Sequence, residues 1–174
     1  MFFGLFRGTS RRLIDHLHGE IVAAAREPVL FTEYGIPDDL DGRFESLALH
    51  AALVLRRLNA LPAPAPEIAQ DLTDELFRHF DIALREMGVG DMSVPKRMKK
   101  FAEAFLGRAK AYHEALNAGP AALAAALSRN VYAGQGGAER LARYVQALED
   151  GLAKASLAEL VEGPIFARKP AAIA

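Results

Sequence analysis

The chain contains no cysteine, which removes disulfides, thiolate metal sites and cysteine nucleophiles and leaves the redox compartment open. Net charge is nearly absent too, at −1 over 174 residues with a pI near 6.5. A general nucleic-acid binder carries a strongly basic domain, so any basic patch here is local and no sequence-specific nucleic-acid partner is expected. The apolar start of the chain is far too short to span a bilayer. Strand-type alternation of polar and apolar residues competes nowhere with helical spacing. Gly88 and Gly90 form a Gly-x-Gly, but no strand precedes it, and no dinucleotide fingerprint, Walker pattern or Gly-x-Ser-x-Gly elbow is found. Phosphate-cradle chemistry therefore has no scaffold, and the chain is expected to be no enzyme and to need no cofactor.

What the chain does have is 51% hydrophobic and 25% charged residues, a balance that argues against disorder and allows one domain with a core. Apolar positions recur at helical spacing over residues 11–26, where Leu13, Ile14, Leu17, Ile21 and Val22 share a face. The same spacing predicts helices over 41–61, 67–87 and 95–117, with Leu49 and Leu53 widening the second stripe until that helix is buried on much of its circumference. An alanine-rich segment at 121–129, a helix over 138–154 and a short helix to residue 161, opened by the capping-box pair Ser156 and Glu159, complete the pattern. Residues 28–40 read as a loop rich enough in apolar side chains to pack. The expected fold is all-α, a single-domain bundle of about six to seven helices spanning 11–174, preceded by an apolar and basic segment at 1–10.

Two charged regions stand out. Phe2, Phe3, Leu5 and Phe6 precede Arg7, Arg11 and Arg12, the reverse of a secretory signal, so a cytoplasmic location is expected. These side chains either dip into an anionic membrane surface or fold back on the domain. Farther on, Ser93 sits near a helix cap with Pro95 in the first turn, and Lys96, Arg97, Lys99 and Lys100 crowd the positive end of the helix. They form either a solvated charged face or a site for an anion: an acidic protein loop, lipid headgroups or ribosomal RNA. The histidines divide likewise. Asp71, Glu75 and His79 recur every four residues, and Asp15 lies near His16 and His18, a pattern common on helix surfaces without any metal. No metal site is expected. His50, in "LALHAALVL", reads as a hydrogen-bonded structural histidine.

Several blocks resemble the bacterial branch of the ubiquinol–cytochrome c chaperone family: "GIPDDLDGRFESLALHAALVLRRL" at 35–58, and "LFRHFDIALREMGVGDMSVPKRMKKFAEAFLGRAKAY" at 76–112, led in by "IVAAAREPVLFTEYGIPDD". The resemblance covers most of 21–112 and little of the alanine-rich C-terminal third. Asp39 departs from it, since relatives commonly carry threonine there. Mitochondrial relatives escort newly made cytochrome b into respiratory complex III, acting near the ribosome beside a small partner. The resemblance implies a chaperone for that complex, peripheral at the inner face of the cytoplasmic membrane. Its implied partners are cytochrome b or its nascent chain, the ribosome and an anionic membrane surface. A chaperone of a membrane protein needs apolar surface and orienting charge. Lys96, Arg97, Lys99 and Lys100, with Asp38 and Arg43 near the loop's end, are the candidate partner-binding residues; Phe2, Phe3, Leu5 and Phe6 are the candidate membrane contacts. Arg43 and Glu45 fit equally an ion pair tying the loop to the fourth predicted helix.

Overall fold

The computed structural model describes residues 3–86 and 88–166, with side chains from residue 11 onward. Among the described residues eight helices follow one another: α1 (Phe3–Ala25), α2 (Pro28–Thr32), α3 (Leu40–Ala60), α4 (Ala65–Glu86), α5 (Val94–Ala118), α6 (Pro120–Val131), α7 (Glu139–Leu152) and α8 (Leu157–Glu162). No strand occurs among the described residues, so the all-α expectation holds. Six of the eight helices are longer than one or two turns. The expected count of six to seven missed only α2, a single turn that Pro28 opens inside the predicted loop.

Helix α3 is the axis of the bundle, with α1, α4, α5, α6 and α7 packed around it. Its sequence explains this. Leu49, Leu53 and Leu58 are fully buried, and Ala48 and Ala51 let neighbours approach on the remaining faces. Burying one leucine of this kind is worth roughly 1.5–3 kcal/mol, so the widened apolar stripe drives the assembly. Around it, Leu17 and Ile21 of α1, Leu72 and Leu76 of α4, and Phe105 and Tyr112 of α5 close a single core. Helix α8 folds back on α1, where His16 Nε2 donates to the Gly163 carbonyl at 3.0 Å.

The helix ends follow their local chemistry. Gly88 closes α4 with φ of +78°, a left-handed conformation that costs glycine little, and Val89 N–H returns to the Leu84 carbonyl at 3.1 Å. Ser156 and Glu159 form the anticipated capping box. Asp39 caps α3 by accepting from Gly42 N–H at 2.8 Å. Threonine and aspartate both serve as N-caps, so the departure from the family pattern preserves the cap. The largest boundary shift is that α1 begins at Phe3 rather than residue 11; α4 starts at Ala65 rather than 67, just after the cis Ala63–Pro64 bond, α6 runs on to Val131 and α7 stops at Leu152.

Gly42 fixes the approach of the loop before α3. A Cβ added there would lie 1.9 Å from the Pro37 carbonyl oxygen, a separation that backbone atoms cannot tolerate. Gly42→Ala is expected to push residues 37–39 off α3 and to cost about 1–3 kcal/mol, with loss of the Asp39 cap adding up to about 1. Gly19→Ala is the control, because an added Cβ meets nothing within 4 Å in the interior of α1; it should gain about 0.5–1 kcal/mol. Urea melts of the two variants decide the matter, and a Gly42→Ala protein as stable as wild type would refute the close contact.

Candidate functional site

The segment held down by Gly42, the start of α5 and the end of α6 enclose a groove of about 920 Å³. Its apolar lining comes from Leu40, Phe44, Phe101 and Val131. Phe44 and Phe101 meet edge to face at 5.3 Å between centroids, and Phe80 of α4 stacks behind Phe101 at 5.4 Å. All three rings are half-buried. Leu40, in the first turn of α3, is 54% exposed.

Five cations line the same groove: Lys96, Arg97, Lys100, Arg108 and Arg129. Their states differ. Arg108 grips Glu45 with two parallel bonds, Nη2 to Oε1 at 2.6 Å and Nε to Oε2 at 3.0 Å. Glu45 is 6% exposed, and this hydrogen bonding holds the Arg108 guanidinium further toward its charged form. The pair neutralises itself and locks α3 to α5. By contrast Lys96, Arg97, Lys100 and Arg129 are exposed and form no ion pair with any described residue. Two more carboxylates line the groove: Asp39, which caps α3, and Asp41 in the first turn of that helix, where the macrodipole favours it.

The candidate residues separate cleanly. Lys96, Arg97 and Lys100 face the groove together, whereas Lys99 lies apart and reaches Glu103 at 3.9 Å. Asp38 and Arg43 bond each other at 2.8 Å on the surface, with side chains 59% and 64% exposed, and do not line the groove. The tie between the loop region and α5 is therefore made by Glu45 with Arg108, not by Arg43. Phe2, Phe3, Leu5 and Phe6 lie outside the residues whose side chains are described, so the membrane expectation stays a proposal. Ser93 occupies the cap position of α5 but its hydroxyl makes no capping bond; Pro95 supplies the fixed start.

Outside the groove the titratable clusters resolve into structural contacts. Glu75 is held by Arg78, and His79 packs against His18 with ring centroids 4.8 Å apart. Burial and the neighbouring His79 push the His18 pKa down. Among the described residues no three histidine, aspartate or glutamate side chains converge as a metal ion would require. His50 is fully buried: its Nδ1 donates to the Ser46 carbonyl at 2.8 Å and its Nε2 accepts from Tyr144 O–H at 2.8 Å, the structural role expected of it. None of the described helices is long and apolar enough to cross a membrane.

The described residues form an all-helical bundle around α3, which carries on one side a groove lined by two phenylalanines and by four cations with no ion pair among the described residues. The chain belongs to the ubiquinol–cytochrome c chaperone family, which it matches over residues 32–168. That match runs well into the alanine-rich third, beyond the 21–112 blocks where the resemblance is plain to the eye. A similar solved structure is the crystal structure of the Cbp3 homolog from Brucella abortus: 39% identical, TM-score 0.81, covering 92% of this chain and 93% of that one. No curated protein sequence matches significantly.

Proposed function

We propose that the chain is a non-catalytic assembly chaperone that binds newly made cytochrome b and assists biogenesis of the cytochrome bc complex, respiratory complex III. The observation that carries this is the groove. The two blocks that carry the family resemblance, 35–58 and 76–112, supply its Leu40 and Phe44 on one side and its Lys96, Lys100 and Phe101 on the other. An apolar recess rimmed by unpaired charge is what a chaperone needs to hold and orient a client. Work at the inner face of the cytoplasmic membrane, where a nascent membrane protein emerges, belongs to the same proposal, as does contact with the ribosome or with anionic lipid.

The test is a tagged pull-down from membranes of the source bacterium with mild crosslinking, read by mass spectrometry and haem absorbance. Wild-type protein should capture cytochrome b, and reversal of Lys96, Arg97 and Lys100 to glutamate should abolish the capture. Lys99→Glu, on the other side of α5, should not. The melting temperature should hold in the triple variant, because none of the three side chains forms an ion pair with a described residue and an acidic residue at position 96, in the first turn of α5, suits the helix N-terminus by about 0.3–1 kcal/mol. Capture that survives the reversal would remove the groove from the function, and no cytochrome b under conditions that retain weaker partners would overturn the chaperone role.

A further inference from the structure

We infer that the groove takes a short, carboxylate-bearing, water-facing segment of its client, anchored by one large apolar side chain, and not a membrane-spanning helix. The inference rests on the chaperone reading above and specifies the ligand of the same site.

Size comes first. A helical turn about 10 Å wide and 5.4 Å long occupies roughly 400 Å³, so a recess of about 920 Å³ accepts some two turns of chain. A bilayer span needs about 20 residues over about 30 Å and exceeds it about two and a half times. Lining chemistry points the same way. A bare apolar span brings nothing to answer Lys96, Arg97, Lys100 and Arg129, whose charges would be desolvated unpaired on contact. Carboxylates on the client answer them directly, while Phe44 and Phe101 offer an aromatic seat for a single apolar anchor.

The same lining disfavours the other polyanions. Asp39 and Asp41 stand in the groove beside the four cations that form no ion pair with a described residue, so a uniform run of closely spaced RNA phosphates could not meet the rim without also meeting carboxylates. A lipid headgroup layer is broad and flat, whereas these cations come from two different helices around a recess. Side-chain carboxylates on a narrow protein segment can be spaced to meet the rim and avoid the acids, which is charge complementarity at the scale of single residues.

The experiment uses the full-length protein and fluorescence polarisation with a labelled peptide of about 8 residues, a little over two helical turns, containing Glu and Ala around one Phe. Its twin carries Lys for every Glu. The acidic peptide should bind, weaken as salt rises, and lose at least about tenfold in affinity in Lys100→Glu and in Arg129→Glu. Lys99→Glu should leave it unchanged, and the basic twin should not bind. Circular dichroism melts confirm that each variant is folded. Equal binding of the twin, indifference to both reversals, or no binding of the acidic peptide would overturn the inference. So would oligouridylate or phosphatidylglycerol vesicles that bind through Lys100 and Arg129 while the acidic peptide does not. Failure here with cytochrome b still captured in the pull-down leaves the chaperone standing and refutes only the ligand class; peptide binding without that capture does the reverse.

Discussion

Arg108→Met is expected to destabilise the protein by about 3 kcal/mol, the low end of the range for stranding one member of a buried ion pair. The reason lies in the asymmetry of the pair. Glu45 is 6% exposed and both of its oxygens bond the one guanidinium, whereas the Arg108 side chain keeps 30% of its surface in water. Removing the arginine leaves a carboxylate with neither solvent nor partner; removing the carboxylate leaves an arginine that can still hydrate. Glu45→Gln alone should therefore cost less, and Glu45→Gln with Arg108→Met should recover most of the loss, because neither buried charge remains. In a domain of this length about 3 kcal/mol corresponds to roughly 6–12 °C in Tm. A single variant within about 0.5 kcal/mol of wild type, or a double variant no better than the single one, would show that the pair does not hold α3 to α5.

Much of this architecture is legible in the sequence because it follows from local periodicity. The stripe of α3 announces a helix buried on most sides, and Ser156 with Glu159 announces a capping box; both are determined within a few residues. The start of α1 is not legible, because Gly4, Gly8, Thr9 and Ser10 look like breakers and caps. Nor is α2, whose five residues are too few to show a period. The groove is half legible. At 100° per residue, Lys96, Arg97, Lys100, Phe101, Ala104 and Arg108 share one arc of α5, and Lys99 falls about 140° from its centre; a helical wheel alone excludes Lys99 and finds Arg108. Arg129, Asn130 and Val131 come from the far end of an alanine-rich helix, and nothing in that segment signals chemistry until α6 packs beside α5. The partner of Glu45 is hidden for the same reason: Arg43 is close in sequence, but the side chain that reaches Glu45 lies 63 residues on.

His50 makes the protein acid-sensitive in a defined window. The Ser46 carbonyl can only accept, so Nδ1 carries the proton, and Nε2 is left as acceptor for Tyr144 O–H. The neutral ring is thus fully satisfied. A second proton on Nε2 would displace the Tyr144 O–H as donor in that bond; burial drives the pKa down from 6.5 to about 4, opposed only by the Ser46 bond. Burial also pushes the Tyr144 pKa up, so the tyrosine stays neutral and offers no countercharge. Above pH 6.5 the imidazole is neutral in both folded and unfolded chains and stability does not depend on it. Between 6.5 and 4 the unfolded chain takes up the proton and the folded one refuses it, so stability falls by about 1.4 kcal/mol per pH unit, some 3 kcal/mol in all. His50→Gln does not titrate, so its urea-derived stability, although lower at pH 7, should fall by about 3 kcal/mol less than wild type between pH 7 and 4. Carboxylates and the other histidines titrate alike in both proteins and cancel in that difference. Parallel pH profiles for the two proteins, or a His50 ring titrating near 6.5 by nuclear magnetic resonance, would refute the buried neutral state.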